Sequence, residues 1–410
     1  MRRGKPGNPL VIGRLPVPNS HAPKGTFSGD LMTNRAIDRN RDDGPILWSN
    51  ALFLSLSPFL AASLIPIYLW NSGSHWALWV SAVALWLFSG LGITIGYHRL
   101  FAHRTYKASW IWRFLSLIAG ASALQNSVLV WTAAHRRHHR HTDHEGDPYN
   151  ATRGFWWTHM KWIFHSNDMA DDFSNVPDLE ADPLVRWQHA WYWTIAWTIN
   201  LGVPLTLGLL IDRPWGMLLF AGLARIAYTH QATFCINSLC HILGSQPWSR
   251  STTSRDSWVC ALLTLGEGYH NFHHTFPADY RNGLRWFHFD PGKWVIWIGS
   301  RVGLTHNLKR TEAPIRWRKR LERLTERYQL SLELTAADAG HDWRQMIETA
   351  RERVDTELTR WSQNLREYHR AYRAGEVTRS MRRSVRDARR AWRANWKEFL
   401  ALGQALPVAA

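Results

Sequence analysis

Long apolar runs constrain this chain more than any other feature. Residues 46–70 and 76–97 are nearly unbroken apolar stretches, each long enough for a hydrocarbon core that takes ~20 helical residues. Inside such a core every backbone polar group must be satisfied within the protein, which favours helices. Only residues 71–75 separate the two runs, so they predict a tight helical hairpin. Residues 188–211 and 214–240 predict a second hairpin around Asp212-Arg213-Pro214, although the last run carries Arg225 and His230, which need partners or a cavity at that depth. The expected fold class is all-α, an integral membrane protein with four transmembrane helices in two hairpins.

The run 109–131 is apolar but holds Arg113, Gln125 and Asn126, and the histidines decide where it goes. His270, His273 and His274 stand at i, i+3 and i+4, on one face of a helix. His135, His138 and His139 repeat that spacing, and His98 and His103 add a third cluster. An i, i+5 pair is about 140° apart on a regular α-helix, so His98 is expected in a last helical turn and His103 beyond it. If 109–131 crossed the membrane, the first two clusters would lie on opposite sides. It is therefore expected to lie in the interface as an amphipathic helix. Four spans then leave all three clusters and both termini on the side that carries most of the Arg and Lys, which is cytoplasmic by the positive-inside rule. The net charge of +17 is read as that membrane rim, and no nucleic-acid partner is expected. Residues 1–45, rich in Pro, Gly and Arg, lack the apolar core of an export signal and are expected to be a disordered cytosolic arm. Cys235, Cys240 and Cys260 have no metal or redox spacing and are expected to serve packing.

Eight imidazoles exceed what one ion takes, since zinc sites are usually four-coordinate and catalytic ones keep three protein ligands. Two metals are implied. Zinc hydrolysis would bring an H-E-x-x-H run, which is absent. Glu267-x-x-His270 imitates half of a carboxylate-bridged di-iron motif, but the partner glutamates of such bundles are missing. The glycines from Gly90 to Gly96 sit inside a span, where small residues serve close helix packing. No dinucleotide or haem motif is present, so reducing electrons must come from another protein. Imidazole suits several metals, but a bilayer-facing site has lipid chains as its substrate, and an unactivated C–H bond calls for a redox metal and O₂. Iron is the economical answer.

The boxes HRLFAH, HRRHH and HNFHH, set between two apolar hairpins, resemble those of the membrane-bound fatty acyl desaturases, in particular the acyl-CoA Δ9 (stearoyl-CoA) branch. The similarity covers roughly residues 46–309 and extends to GITIGYHRLFAHRTYKAS, GFWWTHMKWIF, ATFCINSLCH and GEGYHNFHHTFPADYRNG. The resemblance implies a di-iron centre of two Fe ions held by these eight histidines and a ninth, His241, with Asn237 one turn earlier holding a metal-bound water. It also implies a kinked apolar tunnel lined by Trp131 and Thr233, with Gln125 and Asn126 nearby and His159 near the substrate head group. Trp86 and Gly90 would shape the closed end and so set chain length. Asp143 and Asp147 would orient ligand imidazoles. The implied substrate is a long-chain saturated acyl-CoA, with O₂ and a separate electron donor of cytochrome b5, ferredoxin or rubredoxin type as partners, in contact with membrane lipid. The chain departs from the animal enzymes at Trp131-Thr132-Ala133-Ala134-His135, which lacks their charged residues. That leaves an acyl-lipid or carrier-protein thioester as the alternative, with Arg136, Arg137, Arg140 and Lys161 as candidate phosphate contacts. A membrane di-iron hydroxylase and a non-catalytic metal carrier are the rival functions.

After Lys309 the composition turns to Arg, Glu and Ala. Val354, Leu358, Trp361, Leu365, Tyr368 and Tyr372 follow a heptad seam, and Val377, Met381, Val385, Ala388 and Trp392 form a second stripe past Ala374-Gly375. Residues 310–410 are thus expected to be a basic helical hairpin, a solvated appendage beside the 46–309 membrane domain, or else a docking surface for an acidic redox partner or anionic lipid.

Overall fold

The apolar runs set the frame. The computed structural model describes residues 44–166, 171–334 and 340–406; the expected N-terminal arm lies outside them except for Gly44 and Pro45. Helix α1 (Trp48–Ser72) turns through Gly73, at φ +68°, into α2 (Trp76–Leu91), whose first turn is capped by His75 Nδ1 accepting from the Ala77 amide. Phe59, Leu64, Ile67 and Trp70 of α1 and Val80 and Val83 of α2 face outward, the arrangement that suits lipid rather than water. Among the described residues three helices are long and apolar enough to cross a membrane, Trp48–Ser72, Trp76–Ala102 and Tyr192–Leu210. The chain is an all-α membrane protein; among the described residues its strands are the two-residue Lys107–Ala108 and Thr305–His306, which pair antiparallel. The fourth expected span is helical through Pro214–Met217, Leu218–Ala224 and Arg225–Asn237, but its second half is too polar to meet the same measure.

α2 continues without a break as a π-helical segment, Gly92–Ala102. Helix α3 (Trp110–Ala121) runs back against it. A Cβ on Gly92 would stand 2.4 Å from the Ala119 backbone, and one on Gly96 2.8 Å from Ser116 Cβ, so these glycines allow the two backbones to touch. Residues 109–131 are not one interfacial helix. α3 has 12 residues, roughly 18 Å at 1.5 Å per residue and short of the ~30 Å core. The chain then turns, with Leu124 and Asn126 at positive φ, and returns as α4 (Val128–His141), capped by Ser127. The turn exposes helix-end carbonyls, which need donors. Arg225 donates to Ser122 O at 2.9 Å and His230 Nε2 to Ala123 O at 2.9 Å, while Asn200 Oδ1 takes a further Arg225 hydrogen bond. The polar residues of the last apolar run are therefore what hold this dipping hairpin closed.

The tail differs from the expected hairpin by one helix. Ala313–Leu334 packs on Gly340–Ala374 and Arg379–Ala405 around Leu321, Val354, Leu358, Trp361, Ala388, Trp392 and Phe399. The break falls at Gly375, φ +76°, while Tyr372 is exposed and ends the seam early. The bundle is no free appendage. Arg320 donates to Pro247 O at 3.0 Å, Arg323 to Gln246 O at 3.1 Å, and the Thr311 amide to Asp279 Oδ2 at 2.9 Å.

Candidate metal centre

The π-helical segment resolves the spacing of the first cluster. Its i→i−5 bonding, with the His103 amide on His98 O at 3.0 Å, sets His103 above His98, their rings 4.8 Å apart. Spacing that an α-helix would splay is brought onto one face by a π-helix, a rare element found often at functional sites. α4 presents His135, His138 and His139, and the short helix His270–Thr275 presents the third cluster. His241 comes from a 3-10 turn after the helix of the fourth apolar run, which ends at Asn237. Asn237 and His241 therefore do not share one helical face.

Two groups result. The ligand atoms of His98, His103, His135, His139 and His273 converge, as do those of His138, His241, His270 and His274, each set lying within 4.8 Å. Nε2 atoms face one another at 2.8 Å for His103 and His135, 3.0 Å for His98 and His273, 3.0 Å for His139 and His273, 3.3 Å for His138 and His274, and 3.1 Å for His270 and His274. The outer ring nitrogens explain what those inner atoms carry. His98 Nδ1 lies 3.0 Å from Glu267 Oε2 and His138 Nδ1 2.9 Å from Asp147 Oδ1. A carboxylate only accepts, so each Nδ1 carries a proton, which leaves Nε2 as the nitrogen able to offer a lone pair. Thr253 donates to Asp143 Oδ1 at 2.9 Å and so accepts from His241 Nδ1 at 2.6 Å, with the same effect. Burial, reinforced by mutual imidazole repulsion, drives the basicity of His103, His135, His139, His270, His273 and His274 well below its ordinary value. Imidazole nitrogens that meet at these distances repel, whether as lone pairs or as protons, unless a cation lies among them. The donor set fits two metal ions.

Sequence reasoning missed the part played by Glu267, noting only that its spacing imitates half of a di-iron motif whose partner glutamates are absent. Its carboxylate turns away from the centre and accepts from four groups, Thr94 Oγ1 and Arg99 Nη2 on one oxygen and His98 Nδ1 and Asn282 Nδ2 on the other. Burial raises its affinity for a proton, but His98 and Arg99 outweigh that and hold it at about 2. Arg99 also meets Asp290 at 2.9 Å. The signal was present: an arginine inside the box HRLFAH, at the end of an apolar helix, demands a buried carboxylate.

A cavity of about 700 Å³ adjoins both groups, lined by His98, His135, His138, His270, Asn237 and Asn126 together with Phe53, Leu54, Trp193 and Trp197. Trp131 stacks on His135 at 4.8 Å and donates to Gln125, which donates to Thr233 at 2.9 Å, so these three form one hydrogen-bonded wall. His159 is elsewhere, bonded between Ser238 Oγ and Gln231 Oε1 at 2.9 and 3.0 Å. Trp86 and Gly90 do not border the cavity either. Trp86 packs edge-on to Tyr228, and a Cβ on Gly90 would come 2.6 Å from Leu265 Cδ1, so α2 is filled there rather than open. Arg136 is bound to Asp178 and to the Phe101 and Ala102 carbonyls; its role is to join α4 to the end of the π-helical segment.

Residues 74–297 match the sequence model of a family described as fatty acid desaturase. A "Probable acyl-CoA desaturase" of Schizosaccharomyces pombe is 45% identical over 231 residues, covering 56% of this chain and 48% of the relative. An "sn-2 palmitoyl-lipid 9-desaturase" of Nostoc is 32% identical over 276 residues, 66% of this chain and 93% of the relative. "Stearoyl-CoA desaturase 5" of Bos taurus is 33% identical, with 65% and 80% covered. The chain spans about half the length of the fungal relative and most of the other two.

Proposed function

The chain belongs to the fatty acid desaturase family, and from that premise we propose that it places a cis double bond, at Δ9, in a saturated long-chain acyl thioester, with acyl-CoA the first choice. One observation carries this reading: an apolar cavity lined by members of two convergent groups of histidines. His98, His103, His135, His139 and His273 would hold one iron and His138, His241, His270 and His274 the other, with Asn237 facing the same space through water. When bound, the iron pair supplies activation of O₂. The balance is one saturated chain, one O₂, two electrons and two protons giving one unsaturated chain and two waters, so an electron donor is required.

The chain's own residues contribute binding, alignment and dryness. Each buried methylene adds about 0.8 kcal/mol, which holds an acyl chain along the cavity walls. Trp131, locked by Gln125 and Thr233 and stacked on His135, sets where the chain passes the histidines. Glu267, Asp147 and Thr253 keep each outer imidazole proton in place, so the inner nitrogens stay available. In this reading the apolar helices cross the membrane several times, residues 46–309 form the membrane domain and its cap, and the histidines face the cytoplasm.

An acyl-lipid substrate is the second reading. It is favoured by the engagement of Arg136 with Asp178 and by the uncharged Thr132-Ala133-Ala134 stretch, which leave few cations for a CoA phosphate. Expression in a host without its own desaturase tests both. Gas chromatography should show new Δ9 monounsaturated acids. Purified protein given stearoyl-CoA or stearoyl phospholipid decides the carrier, and hydroxylated acids in place of alkenes would overturn the desaturase assignment.

A further inference from the structure

The tail bundle carries a groove that the chemistry above does not use. It lies between the Gly340–Ala374 and Arg379–Ala405 helices, encloses about 520 Å³, and is lined by Leu365, Tyr368 and Val385 with Arg379, Arg382 and Arg386. The three arginines stand at i, i+3 and i+7, on one face. All three are exposed, and among the described residues none forms an ion pair, whereas their neighbours Arg383 and Arg390 share Asp387. The groove therefore offers an apolar floor rimmed by three uncompensated positive charges.

Two kinds of anionic surface would suit such a rim, and the helix itself chooses between them. A helix that beds into lipid turns Trp, Phe or Leu outward beneath its basic face. Here Trp392, Trp396 and Phe399 are buried in the bundle. The position of the groove points the same way. His369 Nδ1 lies 3.5 Å from Glu312 Oε1, beside Thr311, whose amide donates to Asp279; the Asp279 amide bonds to Phe276 O and the Phe276 amide to His273 O. The hairpin tip is thus at the end of the bundle that joins the cap a few residues from the third histidine cluster.

We propose that this groove is the docking site for the acidic protein that supplies electrons, an inference that rests on the desaturase reading. Its carboxylates would meet Arg379, Arg382 and Arg386, and an apolar side chain would cover Tyr368 and Val385. Contacts of this kind steer association and make it salt-dependent.

The test uses the full chain in lipid nanodiscs, a soluble acidic [2Fe–2S] ferredoxin with its reductase, and the variants R382Q and R379Q/R382Q/R386Q. Binding of the ferredoxin should weaken about tenfold in the triple variant and less in the single one, and the salt dependence of binding should flatten. Dithionite-driven desaturation and the melting temperature should be unchanged. Equal affinity and equal salt response in all three proteins would overturn the proposal, as would no ferredoxin binding by the unmodified chain at low salt. Capture of phosphatidylglycerol vesicles that depends on the three arginines would overturn it in favour of lipid. Absence of dithionite-driven product in every protein would instead count against the desaturase reading, while the binding data still judge the groove.

Discussion

If the two histidine groups hold iron as proposed, replacing Glu267 by Gln should weaken metal binding at the five-histidine group. The carboxylate accepts from Thr94 and Arg99 on one oxygen and from His98 and Asn282 on the other, and an amide has only one oxygen to offer. If that oxygen serves Arg99, the amide hydrogens face His98 Nδ1, whose proton must move to Nε2, and the lone pair leaves the centre. Loss of such an outer partner typically lowers metal affinity 10- to 100-fold, which is about 1.4–2.7 kcal/mol. If the oxygen serves His98, two buried donors on Thr94 and Arg99 go unmatched, at about 1–3 kcal/mol each, and the melting temperature falls instead. Iron per chain should be measured against graded chelator alongside thermal melting. The five-histidine group should empty first, since His138 in the other keeps Asp147. The sign with pH also follows. A carboxyl held at about 2 in the fold contributes stability above its unfolded value of ~4.3, lost only as pH falls toward about 2, so the deficit of E267Q should be the same at pH 6 and pH 8. Wild-type metal affinity together with a wild-type melting temperature would refute the reasoning.

Three further outcomes are expected. Arg225→Met removes a side-chain donor from Ser122 O, Ala221 O and Asn200 Oδ1, at about 1–3 kcal/mol for each buried acceptor left unmatched; the protein should melt earlier, and mass spectrometry of derivatised products should show the double bond spread over neighbouring positions as Gln125 loosens. Trp131→Ala should keep iron but lose most desaturation, because the wall of the cavity beside His135 is gone; undiminished turnover would dismiss Trp131 as a positioning residue. Burial pushes the Asp256 carboxyl up to about 7, so its contribution is full below an unfolded value of ~3.9 and is lost as pH rises to about 7. Asp256→Asn, which cannot ionise, should therefore gain melting temperature relative to the parent between pH 5 and pH 8, and a difference independent of pH would contradict that.

The tail shows where linear pattern was enough. The apolar stripes of Val354, Leu358 and Trp361 and of Ala388 and Trp392 marked two helices because each repeat is local, but the preceding helix, Ala313–Leu334, and its grip on Gln246 and Pro247 depend on surfaces far apart in the chain. The apolar runs likewise announced helices for a membrane, since length and hydropathy are properties of a segment alone. Histidine spacing named the candidate ligands for the same reason. It could not sort them. His273 leaves its neighbours in the third cluster to join His98, His103, His135 and His139, while His138 leaves the second to join His241, His270 and His274. Which imidazoles meet is decided by where three helices cross, and that rests on the π-helical turn that brings His103 edge-on to His98 and on the hairpin that Arg225 and His230 hold by its carbonyls. The hairpin's contacts reach across about a hundred residues, between groups that no spacing rule connects.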